Sequence, residues 1–260
     1  MKFELLISTT NNRKCQQTNP PTPCIIINQI IDPSIKKHCR EKNVFTFYEK
    51  GLSKSRNRAI SLSTADICLI SDDDVEFLDD IEEKIIKAFK KYPDADIITF
   101  QVKTPEGNDY KNYPKGSFVH NKRTILKVSS VEIAFKKSSV IANNLKFDEH
   151  FGLGAMFPTG EEAIFLSDAL KAGLKIVYEP IPIVIHPQES SGKNFHQQNF
   201  FIAKGALFYR LFGIHAYWIG IIFLLKKRKL FSHFTFLSTI SLLYSGIRQA
   251  KRVLRDEPNV

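Results

Sequence analysis

The sequence predicts an α/β fold, and two observations carry that expectation. Short β-rich runs alternate with helical patterns through the first half of the chain. One apolar run also ends in three consecutive carboxylates, and strand ends are where open α/β sheets place their ligands. A composition of 43% hydrophobic and 25% charged residues excludes disordered, collagen-like and coiled-coil classes. At 260 residues the chain accommodates one good-sized domain with an appendage.

The candidate strands, in order, are Phe3–Ser8, Cys24–Asn28, Val44–Tyr48, Asp66–Ser71, Asp96–Val102, Val131–Lys136 and Lys175–Glu179. A short helix is expected after the Gly51 turn. A longer one follows Asp79 and Asp80, which can cap it; Ile81, Ile85, Ala88, Phe89 and Tyr92 recur at helical spacing and Pro93 stops it. A third should run from Glu161 to Ala172 before Gly173, with Glu161 and Glu162 in its first turn, where the helix dipole favours negative charge. The turn-rich stretch from Lys103 to Lys122 reads as a loop or loose hairpin.

Cys15, Cys24, Cys39 and Cys68 form no C-x-x-C pair, and two of them sit in apolar runs, so a reducing compartment without structural zinc is expected. The apolar run of the first ten residues is short and interrupted by Glu4, unlike a signal peptide, which points to a cytosolic start.

The net charge of +10 is unevenly placed. Residues 199 to 260 hold ten Lys or Arg against Asp256 and Glu257, a net +8, leaving +2 for residues 1 to 198. The same tail is rich in Phe, Leu and Ile, and cations flanking apolar runs suit an anionic bilayer surface better than nucleic acid. The expected division is therefore a catalytic domain at 1–198 and a basic, amphipathic, membrane-associating helical region at 199–260. Ala206 to Leu225 is long enough to span a bilayer, but Arg210 and His215 interrupt it, and a span would place Lys226-Lys-Arg-Lys on the far side, against the positive-inside rule. A helix lying in the membrane plane avoids that conflict. Phe236, Ile240, Leu243, Ile247, Ala250 and Leu254 supply its apolar stripe, opposite Ser241, Ser245, Arg248, Arg252 and Arg255. The alternative is a helix pair packed on the catalytic domain or on a partner subunit, including a second copy of the chain.

The most informative segment is Ala65-Asp-Ile-Cys-Leu-Ile-Ser-Asp-Asp-Asp-Val-Glu-Phe. Asp72, Asp73 and Asp74 would repel one another unless a cation were near, and hard oxygen ligands suit Mg²⁺ or Mn²⁺ bridging to phosphates. Upstream, Gly51-Leu-Ser-Lys-Ser-Arg-Asn-Arg opens a helix bearing Lys54, Arg56 and Arg58, a natural diphosphate or nucleobase cradle. A solvated acidic turn and a solvated basic helix start are the bland alternatives.

Taken in order, these segments resemble the family 2 glycosyltransferases of the GT-A fold, particularly bacterial enzymes that build capsular, exopolysaccharide or lipopolysaccharide surface polymers, over roughly residues 1 to 190. Ser53-Lys-Ser-Arg-Asn resembles the family's donor-binding segment and Asp72-Asp-Asp its DxD motif. Phe147-Asp-Glu-His-Phe-Gly-Leu-Gly-Ala resembles its glycine loop, Thr159-Gly-Glu-Glu its G-G-E-D, and His186 its C-terminal histidine. The resemblance implies an inverting transfer from a nucleotide-sugar, UDP-sugar favoured, to a lipid-linked or oligosaccharide acceptor. Thr9, Lys54, Arg56, Asn57, Asp72 and Asp73 would contact the donor; Asp74, Asp72 and His186 would hold Mn²⁺ or Mg²⁺; Glu162, or Glu161, would be the base. A one-residue shift of alignment would pass the metal to Asp73.

Three departures qualify the resemblance. Glu161-Glu162 stands where Glu-Asp is usual, Asn28-Gln29 replaces the Asp pair that helps to recognise uracil, and the Q-x-x-R-W of processive synthases is missing, which favours single addition. The alternatives are a sugar nucleotidyltransferase of related fold, which would need a glycine-rich loop where Ser8-Thr-Thr-Asn-Asn-Arg-Lys stands, and a non-catalytic membrane-surface adaptor. The expected location is the inner face of the cytoplasmic membrane, peripherally attached.

Overall fold

The computed structural model describes residues 1–12, 23–35, 42–187, 198–228 and 234–255. Cys15, Cys39, Lys229 and the acidic residues Asp256 and Glu257 lie outside the described residues. A nine-stranded mixed sheet forms the centre, in the order β3-β2-β1-β4-β8-β6-β9-β5, with β7 also on β9. The strands are β1 (Phe3–Thr10), β2 (Cys24–Gln29), β3 (Val44–Phe47), β4 (Ile67–Asp72), β5 (Glu76–Phe77), β6 (Ile97–Lys103), β7 (Phe118–Val119), β8 (Ile133–Lys136) and β9 (Ile176–Ile185). The helices are α1 (Leu52–Leu62), α2 (Ile81–Lys91), α3 (Lys137–Ala142), α4 (Glu161–Lys171), α5 (Gln198–Phe212), α6 (Ala216–Lys226) and α7 (Phe236–Val253).

β3, β2, β1 and β4 run parallel, whereas β8 runs antiparallel to both β4 and β6. The parallel strands are apolar on both faces because both faces are covered. Along β1, Leu5 and Ile7 pack toward α2 with Ile85 and Phe89, while Leu6 packs toward α1 and α4 with Ile60 and Phe165. Parallel order carries the C-terminal ends of β1, β2 and β4 to one edge, and that edge holds Thr9, Gln29 and Asp72 together.

The seven expected strands all appear, with ends within two residues of expectation except at the end of β9, and β5 and β7 add to them. β9 continues to Ile185 through Pro180 and Pro182, residues that usually end a strand. It does so because its pairing with β6 shifts register around Gln101, so the missing N–H groups fall at an irregularity in the ladder. The strand expected from Val131 begins only at Ile133, after a 3₁₀ turn at Ser130–Glu132 whose Ser129 and Glu132 form a capping box.

The tail folds back on the rest of the chain. Ala203, Ala206 and Leu207 of α5 and Ala250 of α7 share an apolar cluster with Phe151, Phe157 and Ile164. Arg210 binds Asp148 at 2.8 Å and Asp168 at 2.6 Å, tying α5 to the loop before α4 and to α4 itself. α5 and α7 cross closely because Gly205 faces the Leu243 carbonyl and Gly246 faces the Ile202 carbonyl, where a Cβ on either would collide with backbone. The α7 stripe is therefore spoken for. Leu243, Ile247 and Ala250 are fully buried against α5 and α6, which corrects the expectation that this stripe meets a membrane.

Candidate active site

The aspartate triplet at the end of β4 has separate partners for each member. Asp72 accepts from Arg56 at 2.9 Å and from the Ser130 hydroxyl at 3.3 Å. Asp73 accepts from the Thr9 hydroxyl at 2.7 Å. Asp74, exposed, lies 3.3 Å from His186 Nε2. The repulsion that seemed to demand a metal is thus relieved partly by the protein's own cation.

Arg56 is 1% exposed, and its two terminal nitrogens bridge Asp72 and Glu161, each at 2.9 Å, with the guanidinium over the Phe147 ring. Its terminal nitrogens are committed to these carboxylates, whereas its Nε has no hydrogen-bond partner among the described residues, and the residue lines the smaller of two pockets beside the triplet. Asn57 brackets the Phe147 backbone, donating to its carbonyl at 2.9 Å and accepting from its N–H at 2.8 Å. Arg58 stacks on Phe47 and pairs with Glu49. Lys54 lines a groove of about 1020 Å³ with Lys146, His150 and Met156, which adjoins the cleft beside the triplet at Lys50 and Gly154. Helix α1 buttresses the site through Asn57 and Arg58 and lines it through Leu52 and Arg56.

The cleft that does open beside the triplet measures about 400 Å³. Thr9, Gln29, Lys50, Gly51, Leu52, Asp72, Asp73, Asp74, Leu153, Gly154 and His186 line it. A second pocket of about 200 Å³ shares Asp72, His186, Leu52 and Leu153 with the first and adds Tyr110, Ser129, Ser130, Pro158, Thr159, Glu161 and Glu162. The two pockets meet at Asp72 and His186, so groups bound in each would face one another there.

Both glutamates start α4. Gly160 caps that helix in the left-handed region at φ 89°, and a Cβ there would stand 2.6 Å from Leu207, so α5 fixes where the helix begins. Glu161 is committed to Arg56. The Glu162 carboxyl is pushed up to about 8, first by burial and then by the Glu161 charge, while Arg56 and Lys204 pull it down. A carboxylate with that proton affinity suits a general base near neutral pH.

His186 donates from Nδ1 to the Pro187 carbonyl at 2.6 Å and meets the Tyr110 ring edge-on, and the hydrogen bond to Asp74 raises its proton affinity despite burial. Fixing Nδ1 in this way leaves Nε2 toward Asp74 and the cleft, the arrangement of a metal-ligating imidazole. Ligands about 2.1 Å from an octahedral ion sit roughly 3 Å apart, so the Asp74–His186 separation fits one edge of such a shell. Among the described residues no three His, Cys, Asp or Glu side chains converge on one point. The donor set therefore fits a cation that takes its remaining ligands from phosphates and water, as Mg²⁺ commonly does.

Several residues here had no signal of their own in the sequence. Tyr110 comes from the stretch read as loop, Ser130 from the residues just before the expected Val131 strand, Lys50 from the turn before α1, and Lys204 from the tail, where burial lowers its proton affinity and the two glutamates oppose that; Gln29, at the end of β2, stands out in the sequence only as part of the Asn28-Gln29 departure. Only Lys50, next to Gly51 and Lys54, belonged to a recognisable basic cluster.

Comparison with known proteins agrees with this architecture. The sequence model described as glycosyl transferase family 2 matches residues 29–163, just over half of the chain. Among solved structures, S. aureus TarS 1–349 superimposes with a TM-score of 0.56 at 16% identity, over 88% of this chain and 72% of that one. The same fragment in complex with UDP-GlcNAc gives 0.57 at 16% identity, over 88% and 73%. A longer TarS chain gives 0.56 at 15%, over 87% of this chain and 43% of its own length. At such identity the likeness is one of fold. Curated protein sequences offer no match.

Proposed function

Because the chain belongs to glycosyl transferase family 2, with a GT-A fold, and is a nucleotide-sugar-dependent glycosyltransferase, we propose that it inverts the sugar of a UDP-sugar onto a saccharide acceptor with Glu162 as base. The observation that carries this reading is the meeting of the two pockets at Asp72 and His186, with Glu162 in the smaller one only. The larger cleft takes the nucleoside diphosphate and the smaller one the acceptor hydroxyl. UDP-GlcNAc, bound by TarS, is the donor to try first.

The acceptor oxygen attacks the anomeric carbon while its proton passes to the Glu162 carboxylate, and the bond from that carbon to the diphosphate oxygen breaks. Attack opposite the leaving group inverts the centre. Asp74 and His186 would hold Mn²⁺ or Mg²⁺, which would neutralise charge on the departing diphosphate. Asp73, oriented by Thr9, faces the donor, and Arg56 keeps Asp72 and Glu161 in register on opposite walls. Residues 1–198 carry this chemistry and residues 199–260 brace it. The acceptor is a growing surface polysaccharide on a membrane lipid, reached from the cytoplasmic side. A non-catalytic adaptor would have no use for a glutamate of raised proton affinity in a pocket adjoining the triplet.

Calorimetry with UDP and UDP-GlcNAc tests the donor reading. Binding should be tighter with Mn²⁺ than with EDTA, and Asp74→Asn should remove the difference without lowering the melting temperature. Absence of UDP binding under both conditions would overturn the donor site, and equal binding under both would overturn the metal.

A further inference from the structure

We propose that the outward face of α6 is a surface that inserts into an anionic bilayer. The inference rests on the reading of a membrane-borne acceptor for its purpose, but the face is defined by its own geometry. Trp218, Ile222 and Leu225 of α6 follow one another at spacings of four and three residues, which aligns them along one side of the helix, and Ile214 precedes them in the 3₁₀ turn Gly213–His215. With Leu237 at the start of α7 they are between 52% and 79% exposed, and they make five of the thirteen large apolar side chains exposed among the described residues.

The opposite side of α6 is already used. Ala216, Gly220 and Leu224 are buried, with Leu243 of α7 against Gly220. A helix packed on one side and facing water on the other ordinarily carries polar residues outside, whereas α6 is apolar on both. Its C-terminal end presents Lys226, Lys227 and Arg228, all exposed. An apolar row ending in a cluster of cations complements a surface of acyl chains beneath anionic headgroups. Trp218 adds an amphipathic ring of the kind that settles at such boundaries.

The same geometry argues against a span. Gln198–Lys226 is long and apolar enough to cross a membrane. Gly213, in the left-handed region at φ 56°, interrupts it, and α5 is held to the catalytic part by Arg210 on Asp148 and Asp168 and by Leu207 beneath Gly160. Crossing would break those contacts, whereas lying flat on α6 keeps them.

Trp218 is the single tryptophan of the chain, so its fluorescence reports this face directly. The full-length protein is mixed with vesicles of phosphatidylcholine, with and without phosphatidylglycerol, and with versions brominated in the acyl chains. Expected are a blue shift and quenching by the acyl bromines, stronger with phosphatidylglycerol and weakened by salt. The double substitution Trp218→Ser and Ile222→Ser should lower co-sedimentation with vesicles at least roughly tenfold. Both sites are exposed, so melting temperature and UDP binding should be unchanged. Vesicle binding with unaltered tryptophan emission would show attachment by charge alone and overturn the proposal. So would the absence of vesicle binding, or a concentration-dependent dimer that buries Trp218, which would assign the face to a second copy. Failure of UDP binding alongside an inserted tryptophan would instead count against the donor site and leave the membrane face standing.

Discussion

The wall of the cleft and the helical tail are held together in opposite ways. In the wall, a fully buried guanidinium joins Asp72 from β4 to Glu161 from α4, and both carboxylates pay a desolvation penalty to be there. In the tail, α5 and α7 approach through Gly205 and Gly246 with apolar side chains around them and little charge between them. Replacing a buried ion pair by well-packed apolar residues often leaves stability unchanged, so the wall is not built this way for stability alone. The charges fix the direction of carboxylates that the chemistry needs, whereas the tail only has to be rigid. Arg210 and Lys204 are where the two regimes touch.

That contrast can be broken most severely at Arg56. Arg56→Met leaves Glu161 buried without its cation and should lower stability by about 3 to 5 kcal/mol, with loss of transfer, as seen by denaturant melts and turnover. Arg56→Lys should recover only part of both, because a point charge cannot bridge two carboxylates as a fork does. In the tail, Gly246→Ala should cost about 1 to 3 kcal/mol by forcing α5 and α7 apart, while UDP binding, made elsewhere, persists in calorimetry.

The smallest effect is a shift of pH dependence. With Glu162 pushed up to about 8, its ionised fraction grows as pH rises, so kcat/KM should climb from neutral pH and level off above that value. Lys204→Met removes a cation that favours the ionised form and should move the limb to higher pH, whereas a purely structural change would scale the profile without moving it. The linkage to stability has the reverse sign. The folded chain keeps this proton above 4.5, where an unfolded glutamate loses it, so the group's contribution to stability falls as pH rises from 4.5 towards about 8.

Periodicity and turn residues made the strands, α2 and α4 legible, because burial of a strand or helix face leaves its mark within a few residues. Direction and partnership left no such mark. Arg56 in a basic helix start looked like a phosphate ligand, yet its partners lie 16 and 105 residues away, and only the fold shows that its terminal nitrogens reach Asp72 and Glu161. The α7 stripe was read correctly as apolar and assigned to the wrong receiver, since a stripe shows what it avoids and not what covers it. The Ala206–Leu225 run was legible as apolar, but only the fold shows which side of α6 packs against Leu243 and which side faces out.

The central claim is that Glu162 is the base while Glu161 is the partner of Arg56. Single-turnover transfer from UDP-GlcNAc, alongside donor affinity, in Glu162→Gln and Glu161→Gln tests it most directly. Glu162→Gln should bind donor as the wild type does and transfer about 10²- to 10⁴-fold more slowly. Glu161→Gln should lose stability and keep a pH limb, moved to lower pH because the Glu161 charge that raises Glu162 is gone. Wild-type transfer in Glu162→Gln, together with a stable but inactive Glu161→Gln, would contradict the assignment.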